Sequence, residues 1–322
     1  RPPPQRVERG GAPPGARTGG GVAGGGARAA AAARRAVSLE DELARLERQV
    51  LGVARVSRFL KAVDELRRML ALESPEIRRA VLRLTAPSIG RDLAAAISAA
   101  FDTGIVEASR IIDERPKKLP KTPPKPLIAA ARDAEKRIAA ELAKARKLAK
   151  AGADPATVLA PVNGARNTLE RAVASLVNEA GNAGSTAVAD AAGLPTVWVA
   201  ETNACVTCLA YSGVIAKPGK SFPAGLTYGK RSTMTEPSKY PPAHPNCRCT
   251  VEPLNAPEYA AALRREADRS VLRGFSLESE SMGTRVDAAR RLIDRGVDAP
   301  KTVVAFARRA VRAGEFPTRG RP

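Results

Sequence analysis

From position 39 onward, the stripe positions Leu39, Leu43, Leu46, Val50, Val53, Ser57 and Leu60 alternate intervals of four and three. That rhythm predicts one long helix with a single packing face, suited to coiled-coil-like contact. Ser38 is its expected N-cap, with Glu40, Asp41 and Glu42 facing the positive end of the helix dipole. Pro75 and Pro87 divide this stretch from further helices, among them an Ala-rich one around Leu93 to Phe101. Residues 115–126 read RPKKLPKTPPKP, five prolines and no acid, which predicts a semi-rigid extended or polyproline linker. The next periodic segment sets Leu127, Ala131, Ala134, Ile138, Leu142, Ala145 and Ala149 on one helix face. A further helix around Arg166 to Ala180 turns Leu169, Val173, Leu176 and Val177 inward.

After Pro195 the helical rhythm stops. Thr196, Val197, Trp198, Val199 and Ala200 form a short β-prone run, and the next fifty residues are rich in turn formers. Trp198, alone among valines, is expected to pack in a core. Helical patterning resumes beyond Pro257, with Leu263, Ala267, Val271 and Leu272, then Val286, Ala289, Leu292 and Ile293. The expected class is therefore mainly α: a helical body, a small α+β module and a helical C-terminal tail. The boundaries read as an arm over 1–36, helical regions over 37–114 and 127–195 around the 115–126 linker, the module over 196–254 and the tail over 255–322. No internal repeat of fixed period is detectable.

Composition strengthens the helical reading. Only 3% of residues are aromatic, so Ala and Leu supply most of the core volume. Charge adds a second theme: 53 Lys and Arg against 33 Asp and Glu give a formal net charge of +20. Such a chain is drawn to polyanions, whether nucleic acid or an acidic protein face. The competing explanation is that GC-rich coding inflates Arg and that the charge is simply solvated. The cations are concentrated: residues 1–36 hold seven Arg and one Glu, and residues 115–150 hold twelve Lys and Arg against three acids. The first segment has almost nothing to bury and is expected to be a disordered basic arm. No 18-residue uncharged apolar stretch exists, so no membrane span is expected. The N-terminal Gly/Ala/Arg run lacks a Leu-rich core, so a secretory signal is not expected. The start at Arg1 rather than Met is consistent with residues upstream.

The candidate chemistry is confined to one place. All four cysteines and the single histidine fall in Cys205-Val-Thr-Cys208 and, 35 residues later, His244-Pro-Asn-Cys247-Arg-Cys249. A C-x-x-C pair turns two sulfurs toward one cation, and a second pair from a distant loop closes the tetrahedron, as in structural zinc sites. Five donors compete for four places. Cys205, Cys208 and His244 take three, and the fourth is Cys247 or Cys249. A closed sulfur and nitrogen shell leaves no open position, so the expected role is a structural zinc that staples a loop-rich segment. Two disulfides, a Cys–His nucleophile pair, a zinc deaminase and unbound thiols are the competing readings. The first is disfavoured by the expected reducing compartment, the second by the clustering of the thiols. The third lacks its glutamate, because His244-Pro245-Asn246 does not fit H-x-E. With one histidine, mechanisms needing two imidazoles are excluded. Arg248, between two candidate ligands, is either an orienting group or a solvated surface charge.

The runs WVAETNACVTCLAYSG (Trp198 to Gly213) and PPAHPNCRCT (Pro241 to Thr250) resemble the MuF-like head morphogenesis proteins of tailed bacteriophages. The resemblance covers about 55 residues closely, and the flanking helices match it in general character. The chain departs from the family pattern at Ser212, where an acidic residue is frequent. The resemblance implies a minor capsid protein of the virion, placed in the head interior or at the portal vertex and in the host cytoplasm during assembly. It implies the portal protein and capsid or procapsid components as partners, packaged DNA as a further contact through the basic segments, and a role in head assembly or DNA delivery.

An enzyme is not expected. A capsid maturation protease or toxin-type enzyme carrying such a module would need a second functional region, yet only about 70 helical residues follow, without a nucleophile elbow or a second His. A base-reading zinc protein would place a helix directly after the second ligand pair. Thr250-Val-Glu-Pro253 follows instead, which leaves nonspecific DNA contact as the alternative binding role.

Overall fold

In the computed structural model the described residues are 41–201, 204–227, 232–273 and 301–314, together with Leu39, Val286, Ala289, Arg290, Ile293 and Asp294. The expected arm over 1–36, the Ser38 cap with Glu40, Leu292 and the last eight residues lie outside them.

The first helical stretch is two helices, not one. Helix α1 covers 41–52, and α2 covers Ala54–Ala71, with Val53 extended between them at φ −56° and ψ 132°. The break follows Gly52, whose missing side chain weakens the helix there. It also resets the stripe. Leu39, Leu43, Leu46 and Val50 are buried as the spacing predicts, but beyond the break Val56, Phe59, Val63 and Leu66 are buried in place of Val53, Ser57 and Leu60. Helices α3 (Ile77–Arg83) and α4 (Gly90–Ile112) follow, separated as Pro75 and Pro87 require.

Helix α5 (Lys125–Lys150) buries Leu127, Ala131, Ala134, Ile138, Leu142, Ala145 and Ala149, the stripe read from the sequence. Its opposite face exposes Arg132, Lys136, Arg137, Lys144, Lys147 and Lys150. The preceding 115–124 segment does not hold two bodies apart. Leu119 packs on the core, and a single cluster of buried side chains runs from Leu39 to Val188, so both helical regions share one interior.

Helix α6 (Pro155–Ala191) is the axis of that interior, about 55 Å long at 1.5 Å per residue. The Thr157 amide donates to the Asp154 carboxylate at 3.0 Å to cap it, and Pro155 occupies the first turn where no amide partner is needed. It extends well beyond the predicted Arg166–Ala180 span. Its most extensive partner is α4, and the two touch through glycine. A Cβ on Gly104 would stand 1.9 Å from the Gly181 carbonyl oxygen, and one on Gly184 would stand 2.1 Å from that of Phe101. Gly104 and Gly184 thus let the two helices cross at a separation that leaves no space for a Cβ at either position.

The α+β module follows. Strand β1 (Thr196–Val199) lies centrally in an antiparallel sheet, between β2 (Ile215–Ala216) and β3 (Thr250–Pro253), in register Trp198 to Val251. Trp198 is fully buried, as expected, with Tyr211 at 4.9 Å and Phe222 edge-on at 5.2 Å between ring centroids. These three aromatics and the thiols of Cys208, Cys247 and Cys249 fill the same small core. Helix α8 (Pro257–Arg273) packs on it through Gly213. That residue sits at φ +73° and leaves space for no Cβ, because one would meet the Ala260 carbonyl at 2.4 Å. Helix α9 (Lys301–Ala313) contributes Ala307 and Ala310 to the same core, so the tail encloses the module. Among the described residues no helix is long and apolar enough to cross a membrane.

One buried acid has no compensating partner. Glu252 on β3 is 1% exposed, and neither of its oxygens makes a well-formed hydrogen bond, the neighbouring Tyr259 hydroxyl included. Burial pushes its carboxyl up to about 8. The native state then binds a proton that the unfolded chain has released, so stability falls as pH rises toward about 8 and levels off above it. Wild-type stability is expected to drop by about 2 kcal/mol between pH 6.5 and pH 8.5 from this group alone. In Glu252→Gln that slope should vanish in urea titrations at the two pH values. An equal slope in both proteins would show that Glu252 is not its source.

Candidate metal centre

Two local structures bring the donors together. Cys205 is the N-cap of the short helix α7 (Val206–Tyr211), and Cys208 lies in its first turn. The C-x-x-C spacing brings both sulfurs to the same imidazole, that of His244. The second pair comes from the turn His244-Pro245-Asn246-Cys247, closed by the Cys247 amide donating to the His244 carbonyl at 3.1 Å. Pro in the second position and Asn246 at φ +62° in the third meet the demands of a type II turn.

Together these place the His244 Nε2 atom 3.2 Å from Cys205 Sγ and 3.1 Å from Cys208 Sγ, while Cys247 Sγ is 3.6 Å from Cys208 Sγ. Cys205, Cys208 and His244 form one group of converging donors, and Cys208, Cys247 and Cys249 form another, each within 4.8 Å; Cys208 belongs to both. Tetrahedral zinc with ligand bonds of 2.0–2.3 Å would set its donors about 3.6–3.8 Å apart. The observed edges are close to that and slightly contracted. The soft sulfur and imidazole set also suits the ion, so this buried cluster could hold a metal such as zinc. All five residues singled out in the sequence are brought together here.

Proton sharing follows from the crowding. The Cys208 thiol beside Cys205, followed by His244, brings Cys205 down to about 4. The thiols of Cys208 and then Cys249 bring Cys247 down to about 3. Cys208 is pushed up because it donates toward its neighbours, and Cys249 is pushed up mainly by complete burial. His244 rises to about 9, chiefly through its contact with Cys205. Its Nδ1–H donates to the Pro245 carbonyl at 2.9 Å, which fixes the ring and leaves Nε2 to face the sulfurs.

The surroundings of the cluster were not visible in the sequence. Strand β3 is an edge strand whose outer side faces α6, and three polar side chains of that helix take up its unpaired backbone groups. Asn178 and Asn182 both donate to the Cys249 carbonyl, at 3.2 and 3.1 Å. The Val251 amide donates to Asn182 Oδ1 at 2.8 Å, and Ser185 Oγ donates to the Val251 carbonyl at 2.7 Å. Positions 178, 182 and 185 lie on one helix face, and a polar stripe within an otherwise apolar helix was the available signal. Arg248 resolves as an orienting residue: its guanidinium donates to the buried Glu47 carboxylate on α1 at 3.1 Å, tying the ligand loop to the body. Asn182→Ala should strand the buried Val251 amide, leave the Cys249 carbonyl to Asn178 alone, and cost about 1–3 kcal/mol. Urea unfolding of the metal-loaded chain measures this, and a change below 0.5 kcal/mol would show that water replaces the amide without loss.

Comparison with protein-family models, with curated proteins and with solved structures returns no match. The functional reading therefore rests on the cluster, its surroundings and the motif that carries it.

Proposed function

We propose that this chain is a minor capsid protein of a tailed-phage head, in which a zinc-stapled module is mounted on a helical body. The observation that carries the reading is the pair of donor groups, Cys205, Cys208 and His244 on one side and Cys208, Cys247 and Cys249 on the other, joined at Cys208. These are the residues whose spacing resembles the MuF-like module, and their geometry suits a closed structural centre. Cys247 is assigned as the fourth ligand because its sulfur lies 3.6 Å from Cys208. Cys249 belongs to the same donor group as Cys208 and Cys247 and is fully buried, with its carbonyl held by Asn178 and Asn182.

Held by four of these donors, a zinc ion would join the two loops and leave no open position for a reacting group. The role is architectural and the chain is not an enzyme. Arg248 and the asparagine stripe transmit the module's position to α1 and α6. Portal or procapsid surfaces are the partners, and the exposed cations of α5 suit packaged DNA or an acidic portal face.

Two experiments test this reading. Co-expression with the neighbouring head genes of its own operon, followed by sedimentation of procapsids, should recover the chain in particles only when the portal protein is present. Normal particles lacking the chain would send its function outside the virion. Metal analysis of protein purified without chelator should find about one zinc per chain, retained in Cys249→Ser; loss of metal there would transfer the fourth place to Cys249.

A further inference from the structure

A cavity of about 550 Å³ opens between α2, α3 and the 84–88 turn, remote in sequence from the metal ligands. Phe59 and Leu84 form its apolar floor, and Arg55, Arg58 and Arg83 line it together with the exposed hydroxyl of Ser88. Its size falls within the range of small-ligand sites. Three guanidiniums around one cavity repel one another unless an anion joins them.

Among the described residues an acid compensates one of the three. Arg55 pairs with Asp92, whereas Arg58 makes a bond to its own helix, Nε to the Ala54 carbonyl at 3.3 Å. Several other helical arginines are matched by an acid one turn away, among them Arg45 with Glu42, Arg67 with Asp64, Arg68 with Glu65 and Arg79 with Glu76. Arg58 and Arg83 have no acid three or four positions away on either side, so neither can form such a pair. Arg48, Arg78, Arg91 and Arg171 also lack such an acid, so what distinguishes Arg58 and Arg83 is that they line one cavity together.

The geometry points to a phosphate-binding site in which Arg58 and Arg83 clamp a phosphate group, Ser88 donates to it and Arg55, held by Asp92, closes the rim. Phosphate fits the chemistry because its several oxygens can accept from two guanidinium forks at once. The group could arrive on a nucleic-acid backbone or as a small free phosphate compound. This inference is independent of the metal centre and of the head-protein reading.

The test uses the full metal-loaded chain with two probes, inorganic pyrophosphate and a 16-base-pair DNA duplex. The double variant Arg58→Gln/Arg83→Gln is compared with Lys136→Gln/Lys144→Gln, which removes two charges from the exposed face of α5. Pyrophosphate affinity is expected to fall at least fivefold in the first variant and less than twofold in the second. If duplex affinity also falls about tenfold and its salt slope drops by about two, the source is a nucleic-acid backbone. If only pyrophosphate is affected, the ligand is a free phosphate compound. Equal losses of pyrophosphate affinity in both double variants would reduce the site to net charge and overturn the inference. So would a hexaglutamate peptide that binds the wild type more tightly than pyrophosphate and loses that affinity in Arg58→Gln/Arg83→Gln, which would assign the cavity to an acidic protein segment.

Discussion

Cys208→Ser is expected to abolish metal binding and unfold residues 196–254 while α1–α6 retain their helicity. Cys208 is chosen because it belongs to both groups of converging donors and is fully buried, 3.1 Å from the imidazole and 3.6 Å from Cys247. A serine oxygen neither matches the ion's preference for sulfur nor fills the same volume. The module's own core is small, built on Trp198, Tyr211 and Phe222 around three thiols, so metal energy and folding energy are the same quantity there. The loss is on the order of 10 kcal/mol of apparent binding free energy. Zinc stoichiometry and limited proteolysis are the readouts, with cleavage expected between β1 and β3. Chelation of the wild-type chain should produce the same cuts. A metal-free chain that resists proteolysis in this region would show that the aromatic core holds the module unaided.

Gly184→Ala should cost at least about 3 kcal/mol, and Gly104→Ala a similar amount. On intrinsic propensity both changes should stabilise, since Ala exceeds Gly in a helix interior by about 1 kcal/mol. The opposite sign is expected because the added methyl would lie 2.1 Å from the Phe101 carbonyl in one case and 1.9 Å from the Gly181 carbonyl in the other. Those obstacles are backbone atoms and cannot rotate away, so α4 and α6 must separate along their most extensive contact. For a body of this size the melting temperature should fall by roughly 6–12 °C. An unchanged or raised value would mean that the helices already stand farther apart. Gly52→Ala provides the contrast: no atom lies within 4 Å of its Cβ position, so no clash penalty applies.

The chain alone determined the helical class, the buried face of α5, the prolines that separate α2, α3 and α4, the β-prone run at Trp198 and the identity of the five donors. Each of these rests on spacing within one segment: apolar positions every three or four residues, prolines that end helices, and C-x-x-C beside H-P-N-C. Tertiary structure decided the rest, because the deciding partner lies far away in sequence. Nothing within α6 announces that it continues past Gly184; the value of that glycine appears only when α4 crosses at backbone contact. Nothing near Val53 announces that the stripe will reset, since the choice between Val53 and Val56 depends on which faces the shared core. Asn178, Asn182 and Ser185 read as polar interruptions of a helix until β3 presents unpaired amides and carbonyls some 70 residues later. Arg248 could be solvated or paired, and a buried Glu47 about 200 residues earlier settles which. Local periodicity fixes which side chains a segment offers, but what each one meets is set by chain crossings whose partners no local window contains.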